Sequence, residues 1–399
     1  MSNYLYDVCI VGGLGHIGLP MGISLAKEGK RVILYDINKE AANIVSGGDV
    51  PFTEHGAKEV LQEVLFKNLF ISADENSISQ SFYIIVVIGT PVDEHLNPQF
   101  TIFKKFFLNI LKYLNDGQHI ILRSTVFPGT TDKVRDMLLR HGKAVRVTFC
   151  PERIAEGKAM EELRSLPQII GATDDISFEE AKGLFSCLTS DLLRLTPLEA
   201  ELTKLFTNVW RYIQFAISNQ FYQIAVEHGI DFYKIYDAAT YNYPRTKGFP
   251  KAGFAAGPCL FKDTMQLASF SNNSFFLGHS AMLINEGLPN FIVKRLKERY
   301  PLSERVVGIL GMAFKGDVDD SRESLSYKLK KILQIEAKEV LCTDPYVKDS
   351  SLINLDETIS RADILIIGAT HSIYKDLGLD TSDKVVIDVW NFFQKGGFF

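Results

Sequence analysis

The stretch from Gly253 to Asp263 contains the residues of this sequence best suited to covalent chemistry. Cys259 is followed three positions later by Lys262 and four positions later by Asp263. If a helix begins at Pro258, a position at which proline is favoured, the thiol lies on the first helical turn. The helix dipole and Lys262 then favour the thiolate, and Asp263 shares its face. A buried structural cysteine beside a surface Lys–Asp pair fits the same spacing, so both interpretations stay open here.

Two further pairs of side chains could take part in polar chemistry. Lys204 and Asn208 lie four apart in a predicted helix, so an ammonium and an amide could bind one substrate oxygen. Glu152 and Glu156 follow a predicted strand, where carboxylates act as bases or bind sugar hydroxyls. A solvated Lys–Asn face and an exposed acidic turn are the alternatives, and spacing alone does not separate them.

A glycine-rich turn near the N-terminus predicts a dinucleotide site. The predicted strand Asp7–Val11 runs into a GxGxxG pattern, a helix follows, and Asp36 ends the next strand. Asp36 can bind both ribose hydroxyls and would repel a 2′-phosphate, which favours NAD over NADP. An unrelated glycine-rich turn is the alternative. The predicted cofactor-binding residues of the turn are Gly13, Gly15, His16, Ile17 and Gly18. The first two glycines allow the pyrophosphate to approach the backbone closely, and Gly18 lets the helix and the strand pack closely.

Two later strand ends support this prediction, because ligands bind at the carboxyl ends of parallel strands. Gly89-Thr90-Pro91 follows the predicted strand Tyr83–Ile88, and Arg123-Ser124-Thr125 follows His119–Leu122. As isolated features both are also compatible with ordinary turns.

The elements that must position these residues alternate between strand and helix. The fold class predicted is α/β, with two Rossmann-like doubly wound domains joined by a central helical segment that contains one long helix from Pro197 to about Val226. The predicted domains are residues 1–196, 197–300 and 301–399. The remaining predicted strands are Val32–Tyr35, Val145–Phe149, Gln168–Ile170, Val306–Leu310, Val340–Thr343, Ile364–Ile367 and Val385–Ile387.

Composition narrows the class of protein. The chain has 399 residues, 46% of them hydrophobic, and a net charge of -5, which is not the basic footprint of a nucleic-acid or anionic-membrane binder. No apolar run approaches the length of a membrane span, and no signal peptide is recognisable. Five widely spaced cysteines without a CxxC pair predict free thiols in the cytoplasm, and neither a disulfide framework nor a metal site.

Taken together, these motifs resemble the UDP-glucose/GDP-mannose dehydrogenase family of NAD-dependent nucleotide-sugar 6-dehydrogenases. The resemblance extends over nearly the whole chain and follows the family's order. Its motifs are Gly13–Gly18 with Asp36, Gly89–Pro91, Ser124-Thr125, Pro151-Glu152, Ala200–Lys204 with Asn208, Gly257–Cys259 with Lys262 and Asp263, Gly311–Ser324, Asp344-Pro345 and Gly368–His371.

The resemblance implies a four-electron oxidation of C6 of a UDP-sugar for surface polysaccharide synthesis. Two hydrides pass to NAD, and Cys259 captures the intermediate aldehyde as a thiohemiacetal that is oxidised to a thioester. Lys204 and Asn208 then stabilise the negative oxygen. Asp263 and Thr125 position or activate a water, and Glu152 serves in thioester hydrolysis.

The resemblance also implies residues for binding and assembly. Lys262 and Arg322 are expected at the cofactor. A homodimer is expected through the central helical segment, with Arg245 often contributed by the partner subunit; a surface loop arginine is the alternative. The substrate-binding residues expected are Glu152, Arg153, Glu156, Lys204, Asn208, Arg245, Gly253, Phe314 and Lys315.

The sugar and two rival functions remain open at this point. Glu152-Arg153 resembles enzymes of UDP-N-acetylhexosamines, whereas Cys259–Asp263 is closer to the UDP-glucose type. Ala256-Gly257-Pro258-Cys259 stands where the family often has Gly-Gly-x-Cys. A two-electron β-hydroxyacid dehydrogenase shares the Lys204–Asn208 spacing but needs no nucleophilic cysteine. A non-catalytic NAD-binding protein is the second rival.

Overall fold

The computed structural model describes residues 4–89, 100–377 and 384–396. The chain divides into two compact units, Met1–Thr207 and Asn208–Phe399. The boundary lies inside the long helix, which begins in the first unit and ends in the second. The division into three domains at residues 196 and 300 stays a prediction.

Within the described residues, the first unit contains an eight-stranded sheet in the order β3-β2-β1-β4-β5-β6-β7-β8. All neighbouring pairs are parallel except β6 and β7. The doubly wound order reverses between β1 and β4, where such sheets bind ligands. The strands are β1 (Tyr6–Val11), β2 (Val32–Tyr35), β3 (Leu69–Ser72), β4 (Ser81–Val86), β5 (His119–Leu122), β6 (Arg146–Phe149), β7 (Gln168–Gly171) and β8 (Leu192–Leu195).

Helices cover both faces of this sheet, which is why most residues of its central strands are buried and apolar. Val8 and Ile10 of β1 pack on one face, whereas Cys9 and Val11 pack on the other. The two strands that the sequence did not predict, β3 and β8, lie at the sheet edges, where burial leaves a weaker pattern. The helices are α1 (Gly18–Lys27), α2 (Lys39–Ser46), α3 (Ala57–Val64), α4 (Phe100–Ile110), α5 (Thr130–Arg140), α6 (Ala159–Ser165) and α7 (Asp175–Phe185).

The long helix α8 (Pro197–Glu227) is confirmed, and two carboxylates anchor its start. Glu199 and Thr196 form a reciprocal capping box, with the Thr196 N–H 2.8 Å from the Glu199 carboxylate. Glu201 is buried and accepts hydrogen bonds from the backbone N–H groups of Gly129 and Thr131 at 2.5 and 2.8 Å. The beginning of α8 is therefore fixed to the beginning of α5, close in sequence to Thr125.

The second unit contains, within the described residues, a parallel four-stranded sheet in the order β10-β9-β11-β12. This is the second doubly wound sheet that the sequence predicted. Its strands are β9 (Val306–Leu310), β10 (Glu339–Thr343), β11 (Ile364–Ile367) and β12 (Val385–Ile387). The helices that follow α8 are α9 (Phe232–Thr240), α10 (Leu260–Phe270), α11 (Phe276–Arg299), α12 (Leu325–Glu336) and α13 (Leu355–Arg361). Among the helices described in either unit, none is both long and apolar enough to cross a membrane.

Candidate active site

In the glycine-rich turn after β1, most glycines are required by the backbone conformation of the turn or by close packing against neighbouring protein atoms. Gly12, which the sequence pattern did not single out, adopts the left-handed φ of 76° that makes the turn. A Cβ on Gly13 would lie 2.9 Å from the Leu34 Cα, and one on Gly18 would lie 2.5 Å from the Gly12 carbonyl oxygen. These glycines let α1 pack closely on β1 and β2.

Gly15 is different, because no atom in the described part of the chain lies close enough to require a glycine there. The nearest atom to a Cβ at this position would be 3.9 Å away. α1 has no acidic residue in its first turn, and within the described chain no side chain caps it at Ile17. An open space beside the N-terminus of a helix fits the pyrophosphate of a dinucleotide.

Asp36 is held at the end of β2 beside this turn. One carboxylate oxygen accepts the Leu14 N–H at 3.1 Å, and the other accepts the Asn38 N–H at 3.0 Å. Each oxygen keeps a lone pair for a ribose hydroxyl. His16 is also predicted at the cofactor, and the centre of its ring lies 4.1 Å from the centre of the Phe52 ring.

The other predicted cofactor residues of this unit follow β4 and β5. Gly89 is exposed, and no atom of the described residues lies within 4 Å of a Cβ built on it. Thr90 and Pro91 lie outside the described residues. Ser124 and Thr125 are half-buried directly after β5.

Glu152 lies in a buried ion pair that the sequence did not predict. Its carboxylate accepts hydrogen bonds from Arg123 Nε at 3.0 Å and from Arg123 Nη2 at 2.5 Å. Its second oxygen accepts the N–H groups of Arg153 and Ile154 at 2.7 and 3.1 Å. These contacts fix the loop after β6 and take up most of the accepting capacity of Glu152, so its participation in hydrolysis stays a prediction.

The buried Arg123 is the residue of this unit that sequence reasoning missed. Its guanidinium also donates to the Cys150 carbonyl at 3.0 Å and to Gln168 Oε1 at 2.9 Å. The available signal was an arginine directly after the apolar run Ile120–Leu122, because such a charge needs buried partners.

The loop that begins at Glu152 is fixed at its other end as well. Arg153 donates to the Pro167 carbonyl, and Glu156 is half-buried. Glu54 accepts the N–H groups of Gly157 and Ala159 at 2.9 and 2.7 Å, and burial raises the pKa of Glu54. The substrate contacts predicted for Arg153 and Glu156 therefore start from a well-anchored loop, and they remain predictions.

In the second unit, Cys259 is the N-cap residue of α10 rather than part of its first turn. The helix begins at Leu260, one residue beyond the thiol, which is exposed. Gly257 has a φ of 105°, and a Cβ on it would lie 2.7 Å from the Phe314 ring. The departure at Ala256 is thereby explained, because Gly257 is the position that needs glycine and Ala256 has no positive φ.

Asp263 is fully buried on α10 and faces Asn208. Asn208 Nδ2 donates to Asp263 Oδ2 at 2.6 Å, and Lys262 Nζ lies 3.7 Å from Oδ1. Among the described residues Asp263 Oδ1 has no hydrogen-bond partner. Because a buried, unsatisfied carboxylate oxygen is costly, this atom is suited to accept a hydrogen bond from water or substrate. Lys204 lies one turn before Asn208 in α8 and is half-buried.

The loop after β9 carries Phe314 and Lys315, and a buried Asp–His pair holds it. Asp344 accepts the N–H groups of Met312 and Ala313 at 2.6 and 2.9 Å, and it lies 3.0 Å from His371 Nε2. Lys315 Nζ lies 5.7 Å from the Phe314 ring centre. The pair keeps both predicted substrate residues on a rigid loop.

The two predicted arginine ligands of this unit are exposed. Arg322 forms an ion pair with Asp320 at 2.5 Å. Arg245 lies on a short turn, 3.4 Å from the Tyr243 hydroxyl, and Gly253 lies in the buried segment before Cys259. Their functions at the cofactor or substrate remain predictions.

Three segments of the chain match domains of the same protein family. Residues 6–189 match the NAD binding domain of the UDP-glucose/GDP-mannose dehydrogenase family, residues 198–286 its central domain, and residues 308–395 its UDP binding domain. The UDP-N-acetyl-D-mannosamine dehydrogenase of Methanocaldococcus jannaschii is 30% identical over 97% of this chain and 93% of its own.

Two further relatives extend this similarity. An NDP-N-acetyl-D-galactosaminuronic acid dehydrogenase of Ralstonia nicotianae is 26% identical over 95% of this chain and 94% of its own. The solved structure of the UDP-D-ManNAc dehydrogenase from Pyrococcus horikoshii aligns with a TM-score of 0.87 at 28% identity, covering 95% and 93% of the two chains.

The open space at Gly15 gives a test of cofactor binding. Gly15→Ala should leave the free energy of unfolding within about 0.5 kcal/mol of wild type. It should raise the Kd for NAD on the order of tenfold, because the methyl group fills the space of the pyrophosphate. Calorimetric titration and urea unfolding measure the two quantities.

Gly18→Ala is the matched control, because its Cβ would meet the Gly12 carbonyl oxygen. It should destabilise the fold itself. Unchanged NAD affinity in Gly15→Ala would contradict the assignment of Gly15 to the pyrophosphate.

The Asp344–His371 pair predicts a pH dependence of stability. Burial acts to raise the pKa of Asp344, but the His371 hydrogen bond and charge and the backbone N–H groups outweigh it and lower the pKa to about 2. Because the unfolded value is about 3.9, the stabilisation is present above about pH 4 and is lost as the pH falls toward 2. Between about pH 5 and about pH 3, wild type should lose about 1 kcal/mol more unfolding free energy than Asp344→Asn. If urea unfolding gave wild type and Asp344→Asn parallel profiles of unfolding free energy against pH, this prediction would be contradicted.

Proposed function

Because the chain belongs to the UDP-glucose/GDP-mannose dehydrogenase family, and is therefore an NAD-dependent nucleotide-sugar dehydrogenase, we propose that it oxidises C6 of a UDP-N-acetylhexosamine to the carboxylate. The observation that carries the proposal is the exposed Cys259 at the start of α10, one helical turn before the buried Asp263–Asn208 pair. A two-electron dehydrogenase needs no such nucleophile.

The proposed reaction consumes two NAD molecules and one water molecule for each substrate molecule. Bound NAD supplies the hydride acceptor for each oxidation. Removal of a hydride and a proton from the C6 alcohol gives the aldehyde, to which the Cys259 thiolate adds, forming a C–S bond. Removal of a second hydride and the hydroxyl proton gives the thioester. Water then breaks the C–S bond, which releases the carboxylate and regenerates the thiol.

Proton transfer, charge stabilisation and loop positioning are assigned to other residues of the chain. Asp263 Oδ1, unsatisfied among the described residues, is suited to hold the proton of the substrate hydroxyl or of the attacking water, and Asn208 orients that carboxylate. Lys204 supplies a positive charge to the negative oxygen that forms when the thiolate or water adds. Thr125 assists with the water, and Glu152 orients the loop that carries Arg153 and Glu156.

The nucleotide is proposed to bind the second unit, where Phe314, Lys315 and Arg245 recognise its diphosphate and ring. UDP-N-acetyl-D-mannosamine is the first substrate to test, because the relatives from Methanocaldococcus jannaschii and Pyrococcus horikoshii carry that name. UDP-GlcNAc, UDP-GalNAc, UDP-glucose and GDP-mannose complete the panel. We place the enzyme in the cytoplasm, where it would provide an acidic sugar precursor for a surface polysaccharide.

The covalent mechanism predicts a stoichiometry. Each substrate molecule should yield two NADH and one carboxylate, and Cys259→Ser should lower carboxylate formation on the order of a thousandfold or more because the thioester can no longer form. NADH absorbance and mass spectrometry of the sugar nucleotide measure both. A single NADH per substrate, or normal turnover by Cys259→Ser, would contradict the mechanism.

We also propose a homodimer through α8. Apolar side chains form a stripe along the part of α8 in the second unit, with Trp210, Ile217, Phe221 and Ile224 all at least 43% exposed. Their successive spacings of seven, four and three residues are those of a helix packing along a partner helix. A groove of about 290 Å³ joins this stripe to Arg245, which ties the proposed interface to a predicted substrate residue.

Mixing two inactive variants tests whether Arg245 acts across this dimer. Arg245→Ala and Cys259→Ser should each be inactive alone. If Arg245 serves the partner's site, randomly mixed dimers should recover about a quarter of wild-type activity, since half are mixed and each mixed dimer has one intact site. The assay follows NADH after co-refolding or co-expression. No recovery in a confirmed heterodimer would contradict the proposal.

A further inference from the structure

The segment between Pro250 and Gly257 is buried although it is neither helix nor strand. Ala252, Phe254 and Ala255 are at most 4% exposed. Buried irregular backbone cannot bond to water or to a regular ladder, so its N–H and C=O groups need side-chain partners. This segment ends two residues before Cys259, so whatever satisfies its backbone also decides where the thiol lies.

Asn219 on α8 supplies these partners for Gly253. Its Oδ1 accepts the Gly253 N–H at 2.8 Å, and its Nδ2 donates to the Gly253 carbonyl at 3.0 Å. The side-chain amide thus pairs with the backbone as a neighbouring peptide would in a sheet. Asn219 is fully buried, so no water competes for these bonds.

A second amide fixes the orientation of Asn219. Its other Nδ2 hydrogen is donated to Asn285 Oδ1 on α11 at 2.9 Å, and Asn285 Nδ2 donates to the Tyr212 carbonyl at 2.9 Å. Since every donor of Asn219 is used, flipping its amide would place like groups against each other. The neighbouring Ser218 anchors the start of the segment through the Pro250 carbonyl at 2.6 Å.

The opposite side of Gly253 is closed by packing. A Cβ on Gly253 would lie 2.1 Å from the Trp390 ring, so the backbone lies directly against the indole. Tyr233 donates from the same region to the carbonyl of Val389 at 2.5 Å. Gly253 is therefore clamped between an amide pair and an aromatic ring.

We propose that Asn219 is a positioning residue for the nucleophile: through Gly253 it holds the backbone that leads to Cys259, so that the thiol meets the aldehyde before the aldehyde escapes. The inference rests on the proposed covalent function. Sequence spacing gave no sign of it, because Asn219 lies 40 residues before Cys259.

Asn219→Asp tests the inference. The carboxylate has the same shape and still accepts the Gly253 N–H, but it cannot donate to the Gly253 carbonyl or to Asn285. We expect carboxylate formation to fall on the order of 10- to 100-fold, as for a nucleophile displaced by about 1 Å. NADH released per carboxylate should rise above two as free aldehyde accumulates. The Kd for NAD should stay within about twofold, and the rate of Cys259 alkylation by iodoacetamide should change several-fold.

Gln118→Glu in the first unit is the matched control, because it makes the same amide-to-acid change at a fully buried site. Gln118 Nε2 donates to the carbonyls of Ile78 and Ser81 at 2.7 and 2.6 Å. The control should lose stability while its NADH-to-carboxylate ratio and alkylation rate stay those of wild type. A folded Asn219→Asp variant that behaves like this control would overturn the proposal.

If Asn219→Asp does not fold, Asn285→Ala tests whether Asn219 positions the thiol. It keeps both bonds to Gly253 and removes the amide that orients Asn219, together with that amide's bond to the Tyr212 carbonyl, so a smaller change in the same ratio and alkylation rate is expected. No change in either would overturn the proposal. Normal carboxylate formation by Cys259→Ser would refute the covalent function instead, and the alkylation rates would still decide whether Asn219 positions the thiol.

Discussion

The hydrogen bond between Asn208 and the buried Asp263 is the interaction on which the chemistry of the second unit depends. It joins α8 to α10 and places a carboxylate one turn after the Cys259 thiol. A buried carboxylate is tolerated only where it is hydrogen-bonded, and one oxygen of Asp263 has no hydrogen-bond partner among the described residues, with Lys262 Nζ 3.7 Å away. The cost of burying that oxygen is acceptable where a substrate hydroxyl or water can occupy it.

The same principle recurs wherever irregular backbone approaches a predicted site residue. Each of three such segments is held by a buried polar side chain that lies on a helix or directly after a strand, because irregular backbone has no hydrogen-bond ladder of its own. Arg123 holds the loop of Glu152, Asp344 holds that of Phe314, and Asn219 holds the segment before Cys259. Strands and helices thus position the loops that carry the predicted site residues, and they do so through single buried side chains on or directly after these elements.

Much of the fold could be predicted from the sequence because its signals are local. Central strands buried on both faces are apolar runs, and α8 is a long stretch without glycine, so their positions were predicted to within a few residues. The edge strands β3 and β8 were missed since half-exposed strands of four residues carry little pattern. The start of α10 was placed two residues early, because Pro258 can precede a helix as well as begin it.

The sequence by itself determined the cofactor turn, the nucleophile, the Lys204–Asn208 spacing and the family, since each depends on residue type and short spacing. Only the tertiary structure decided that Gly13 also serves packing and that Gly15 leaves room for a ligand. It also decided that Glu152 is paired with Arg123 and that Asn219 supports the segment before the thiol. Such partners lie tens of residues apart and meet through the packing of whole helices and strands, which no local pattern records.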